Sequence, residues 1–149
     1  MTTLFDPTVN AEICNRIAKL EPSSKPRWGK MNVAQMLTHT YLSLQVSFGN
    51  IELKPGILGT FFRGISRRIL LGSKPFPKHL PADKKVLTKE AGIFSEERQR
   101  LENAVRMYLE KGPAGLSKKP HNIIGKISPE ESAFISYKHL DHHLRQFGV

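Results

Sequence analysis

A chain of 149 residues with 39% apolar and 24% charged residues has the composition of a globular protein and the length of one domain, about 100–200 residues. Its single cysteine, Cys14, excludes an intramolecular disulfide and a zinc knuckle built from cysteines. Lys and Arg number 23 against 13 acids, a net charge of +10; this balance draws phosphates or anionic lipid through its long-range field and bears on partners, not on fold.

The opening residues lack a basic stretch followed by an apolar one, so no secretion signal is expected. Asp6-Pro7 reads as an N-cap with proline in the first turn, and Val9, Ile13, Ile17 and Leu20 recur at helical spacing, which predicts a helix over 7–20. A Pro/Ser-rich break follows. Asn32, with Gln35 three residues on, forms a capping box that starts a second helix near Val33 and carries it to Phe48, before Gly49-Asn50. Its main apolar arc holds Val33, Met36, Leu37, Tyr41, Leu44 and Phe48, whereas His39, Leu42 and Val46 line another side, so the helix has two faces to bury.

After a Lys54-Pro55-Gly56 turn, Ile57, Leu58, Phe61, Phe62, Ile65 and Ile69 share one arc opposite Arg63 and Arg67, a short basic amphipathic helix over 57–71 closed by Gly72. Arg63, Arg67 and Arg68 interrupt this greasiest stretch of the chain, which therefore falls short of the roughly 18–20 apolar residues of a membrane span. A cytoplasmic location is expected. Three prolines between 75 and 81 impose extended or turn backbone, and the long surface connection 72–93 is of the kind that covers or lines a site.

Phe94-Ser95-Glu96-Glu97 supplies an N-cap with acids in the first turn, and Leu101, Val105, Tyr108 and Leu109 form a stripe up to Gly112-Pro113. After a polar loop over 112–127, Ser128-Pro129-Glu130-Glu131 combines N-cap, proline and capping glutamate, the strongest helix start in the chain, and the last helix runs to about Phe147. No alternating β-branched run competes with these helices. The expected fold is all-α, a single domain over 1–149 built as a four-helix bundle with the short basic helix and the Pro-rich connection added.

The last helix carries the chemistry. Ala133, Tyr137, Leu140, Leu144 and Phe147 make its core stripe, while Ser132, Ser136, His139 and His143 line an adjacent stripe. Histidines at i and i+4 stand one turn apart, close enough for both to reach one first-row metal at about 2.0–2.1 Å. Two ligands hold a metal poorly, and His39, off the core stripe of the second helix, is the available third donor. His142 points with Lys138 and Arg145 toward the expected polar side, and His79 and His121 fall in loops. Asp141 lies far around the helix from the pair and receives no catalytic role.

The run from Trp28 to His39 (WGKMNVAQMLTH) resembles the second-helix start of the DinB-like superfamily, and Tyr137 to Phe147 (YKHLDHHLRQF) resembles its closing helix. The likeness covers most of the chain and is nearest to a branch of small bacterial proteins without established activity, in which Lys74-Pro75-Phe76-Pro77 and Gly125-Lys126-Ile127-Ser128-Pro129-Glu130-Glu131 also have counterparts. It implies a DinB-like four-helix bundle, usually a homodimer, with a divalent metal on His39, His139 and His143. Better-known relatives are thiol S-transferases and a mycothiol-dependent isomerase, in which the metal activates a low-molecular-weight thiol. Reaction type does not follow from fold.

Two functions are thus expected to compete. The first is a metal-dependent thiol S-transferase or hydrolase acting on a small molecule, with Ser132, Ser136 and Tyr41 as pocket candidates and no catalytic residue assigned. Its cofactors are a divalent transition metal, zinc or nickel first among those that imidazole suits, and a small thiol. The second is a non-enzymatic basic module whose nine Lys and Arg residues between 54 and 89 dock on nucleic acid or an anionic surface, although no nucleic-acid-binding motif accompanies them. A homodimer would bury the surplus apolar surface of the second helix and of Phe61 and Phe62.

Overall fold

The Asp6 carboxylate accepts hydrogen bonds from the Thr8 and Val9 amides, at 2.8 and 3.5 Å, and Pro7 occupies the first helical position, so α1 (Pro7–Ala18) begins where its cap dictates. The computed structural model describes residues 1–54, 61–88, 90 and 92–149. α1 stops two residues before the expected end, and Leu20 reaches the core from the turn beyond Lys19, the C-cap. In α2 (Val33–Ser47) the capping box is closed at both ends: the Gln35 amide donates to Asn32 Oδ1 and the Asn32 amide to Gln35 Oε1, each at 2.9 Å.

The expected helix over 57–71 is seen as α3 (Arg63–Leu71), closed by Gly72; its first part, with the 54–56 turn, runs into residues 55–60, which lie outside those described. No residue of α3 is buried. α4 (Phe94–Lys111) starts at Phe94 without a side-chain cap, a correction to the capping expected from the Phe94–Glu97 run. Ser95 lies inside the helix, and Glu97 turns inward instead, accepting from the Thr38 hydroxyl at 2.9 Å and from Arg100 at 2.7 Å. α5 (Pro129–Gln146) opens on the Ser128–Glu131 capping box as expected. The connections are more ordered than composition suggested, with one-turn 3-10 helices at Lys84–Val86 and Pro113–Gly115.

Among the described residues the chain is all-helical, with five α-helices and no strand. Four of them share one core. α2 packs on α4 and α5, and α1 closes the other side against the same two helices. Ile13 and Ile17, Met36 and Leu37, Leu101 and Val105, and Leu140 and Leu144 meet there at 1% exposure or less, the condition under which each apolar side chain contributes about 1.5–3 kcal/mol. The core stripes read from the sequence occupy this interior, except that Val9, Tyr41 and Tyr137 are only partly buried and Leu109 is exposed. No helix among the described residues is long and apolar enough to cross a membrane.

α3 is held by a polar device. The Nζ of Lys138, on α5, donates to the carbonyls of Ile69, Leu70 and Gly72 at 2.9, 3.3 and 2.6 Å, so one ammonium satisfies the carbonyl end of α3, where the helix dipole favours a cation. The same ammonium lies 4.6 Å from the Phe76 ring centroid and ties the Pro-rich segment to the same point. Lys138 is buried, which corrects its placement on a polar face. α3 and the segment after it cover that side of α5.

Candidate metal centre

Helix periodicity and the α2–α5 contact bring three imidazoles together. His39 Nε2 and His143 Nε2 each lie 3.1 Å from His139 Nε2, and one nitrogen from each ring falls within 4.8 Å of the others. The rings stand nearly perpendicular to one another, at 80°, 81° and 88°, like blades about a common point. His39 comes from α2, and His139 and His143 come from successive turns of α5.

Hydrogen bonds on the far sides of two rings fix their tautomers. His39 Nδ1 lies 2.7 Å from the Val86 carbonyl, which can only accept, so Nδ1 carries the proton and Nε2 presents its lone pair. His143 Nδ1 lies 2.7 Å from Gln146 Oε1. The amide orientation of Gln146 is set in turn by its Nε2, which donates to the Trp28 carbonyl at 2.6 Å. Nε2 of His143 is therefore also unprotonated. Two lone pairs face His139 Nε2, which has at most one proton to share between them. A divalent cation satisfies all three, and nitrogens about 2.0–2.1 Å from a tetrahedral zinc stand about 3.3 Å apart, close to the observed 3.1 Å. These three residues can hold a metal ion.

The electrostatics favour the ligating form. Burial, above all, holds the three rings below their ordinary value; His139 sits well below it, with repulsion from His143 and His39 added. His143 is pushed down to about 3, first by burial and then by His39, and in His39 the same burial outweighs the Val86 hydrogen bond. Neutral imidazole is the form that binds metal.

The cluster opens on a cavity of ≈ 270 Å³ lined by His39 and His139. Ser132 and Ser136 line it too, as their stripe predicted; Ser132 pairs with Ser47 at 2.9 Å and Ser136 accepts from the buried Tyr108 hydroxyl at 2.8 Å. Tyr41 does not line the cavity and instead stacks against Arg100, 4.3 Å from ring centroid to guanidinium. The 72–93 connection reaches the site: Phe76, Leu80 and Val86 form part of the wall, and the Val86 carbonyl orients His39. His142 is not solvated as expected; it is half-buried, its ring 5.6 Å from that of Trp28 and 6.2 Å from that of Phe76. Asp141 forms ion pairs with Arg16 and Arg145 at 2.9 and 3.0 Å.

Three contributors escaped the sequence reading. Gln146 lies three residues from His143, a same-face spacing that could have revealed it. The Val86 carbonyl has no sequence signature, because every residue carries one. His121, in a turn bridged to Gly125, lines the cavity, and only the fold brings it there. Comparison with family models, with curated proteins and with solved structures gave no match.

Proposed function

We propose that this chain is a divalent-metal-binding protein of the DinB-like type, its four long helices forming a bundle of that kind, and that it acts as a metal-dependent thiol S-transferase or hydrolase on a small molecule. The observation that supports this reading is the convergence of three neutral imidazoles, two with their tautomers fixed, at the end of a cavity. A divalent ion held by three protein ligands keeps a position open and lowers the pKa of a thiol or water placed there. The chain supplies the rest. Val86 and Gln146 hold two of the rings in register, and apolar side chains form much of the wall beside them. Zinc and nickel both suit three imidazoles.

Elemental analysis of untagged protein tests the assignment. About one divalent ion per chain is expected, lost in His39→Ala and in His143→Ala; unchanged occupancy in either variant overturns it. Assays of common cellular thiols with an electrophile then separate transferase from hydrolase.

A second reading is favoured by one observation at the start of α3 and just before it. Phe61, Phe62 and Ile65 are 83%, 55% and 62% exposed beside the exposed Arg63 and Arg68, the pattern of a helix lying on an anionic surface. Co-sedimentation with anionic but not neutral phospholipid vesicles, abolished by salt, would support it. A gel shift with DNA, falling steeply between about 50 and 200 mM salt, would favour nucleic acid instead. Sedimentation velocity showing a dimer in free solution would assign the same face to a second copy of the chain.

A further inference from the structure

Beyond the imidazoles, the cavity has a chemistry that restricts what can approach them. Its volume of ≈ 270 Å³ lies near the lower end of the range of ligand pockets, about 300–1,000 Å³. Val46, Ile51, Leu70, Phe76, Ile123 and Ile135 supply apolar wall. The serine hydroxyls that line it are engaged with their surroundings: Ser47 with Ser132, Ser136 with Tyr108, and Ser43 with the His39 carbonyl at 2.9 Å. Among the described residues the acidic and basic side chains that line the cavity, Glu52, Asp83 and Lys119, are all exposed, and Glu52 and Lys119 neutralise each other at 2.9 Å. Among the described residues, then, no buried charge lines the cavity for a charged ligand body to pair with.

Two uncharged polar side chains of the described lining stand apart from the triad and the serines, His121 and Asn122, and in His121 the donor is fixed. His121 Nδ1 accepts from the Ile123 and Ile124 amides at 3.1 and 3.4 Å, so the ring proton resides on Nε2. The turn that carries it is pinned by reciprocal 2.9 Å bonds between the His121 and Gly125 backbones. Burial keeps this imidazole neutral. What remains is a fixed donor of one hydrogen bond on a wall that is otherwise mainly apolar.

We infer that the cavity selects an uncharged, mainly apolar small molecule that places a metal-seeking head group at His39, His139 and His143 and offers a hydrogen-bond acceptor to His121. Such a ligand gains affinity from each buried carbon, whereas a polyanionic one gives up hydration that the walls do not replace. The head-group half of this inference rests on the metal reading above; the apolar half and the role of His121 rest on the cavity.

The test begins with zinc stoichiometry and proceeds on zinc-loaded protein with linear alkyl hydroxamates, from acetyl to octanoyl, and their ω-methoxy counterparts. Affinity should rise roughly threefold to fourfold per methylene until the cavity is filled. The ω-methoxy compounds should show an optimum length at which they exceed their alkyl equivalents, a gain lost in His121→Phe and retained in His121→Gln. Ile135→Asn should flatten the chain-length series with zinc content unchanged. Zinc bound with a flat wild-type series overturns the apolar selection, and an ω-methoxy gain that survives His121→Phe overturns the role of His121. Absence of zinc overturns the metal reading and the head-group half with it, a result told apart because zinc is measured first.

Discussion

The Gln146 amide has both ends committed, its oxygen to His143 Nδ1 and its nitrogen to the Trp28 carbonyl, so it holds the ring as a rigid strut. Gln146→Leu should leave the fold intact and weaken metal affinity by about 10–100-fold, the usual consequence of removing a ligand's orienting partner, as read by competition with a chelating dye; affinity equal to wild type would reject the role. Gly29 belongs to the same arrangement. Its φ is +83°, and a Cβ there would stand 2.6 Å from the Gln146 amide nitrogen. Gly29→Ala should cost about 1–3 kcal/mol for the left-handed backbone and lower metal affinity in the same direction as Gln146→Leu. Thermal melting and dye competition report the two effects separately. At this scale the i, i+4 histidines were legible because their geometry is internal to one helix. The partners that orient them were not, because a backbone carbonyl from residue 86 and an amide fixed from residue 28 depend on how distant segments meet.

Among the elements, α3 depends on Lys138 most visibly. It has no buried residue, and its carbonyl end is satisfied by an ammonium from another helix. Lys138→Met preserves the apolar stem but leaves those carbonyls unpaired, so a loss of about 1–3 kcal/mol is expected, together with faster proteolytic cleavage between residues 61 and 80 while the four long helices resist. Cleavage at the wild-type rate would contradict this. The helix starts at Asp6, Asn32 and Ser128 were readable because capping is local chemistry. Lys138 was misplaced because a helical wheel for α5 alone cannot show that another element lies over its polar side. At α4 the first-turn acids were readable and the side-chain cap was not, for a related reason: the helix starts without one, and Glu97 of that turn serves a tertiary hydrogen bond to Thr38.

For the whole molecule, the buried imidazoles set a pH dependence. His39, His139 and His143 are held neutral in the fold, His143 down to about 3, whereas in the unfolded chain each titrates near 6.5. Below about pH 6.5 the unfolded chain takes up protons that the fold refuses. Stability is therefore full above that pH and is lost progressively as pH falls toward the folded-state values. In chelator, the melting temperature should drop between pH 7 and pH 4, with a shallower slope in His139→Gln/His143→Gln; parallel slopes would show that other groups dominate. The all-helical class was legible from periodicity and caps. The cavity was not, since its walls come from segments spread along most of the sequence.

The imidazoles of residues 39 and 139 meet across a separation of 100 positions along the chain. On the metal reading, a cation gripped between them would stitch α2 to α5, and the unfolded chain would offer no comparable grip, so occupancy would be transmitted directly into folding free energy. At a free concentration about 1,000 times the dissociation constant this amounts to about 4 kcal/mol. A cell holding this protein would then find its lifetime set by trace-element nutrition: starved of the ion, the same polypeptide would open more often and be degraded sooner.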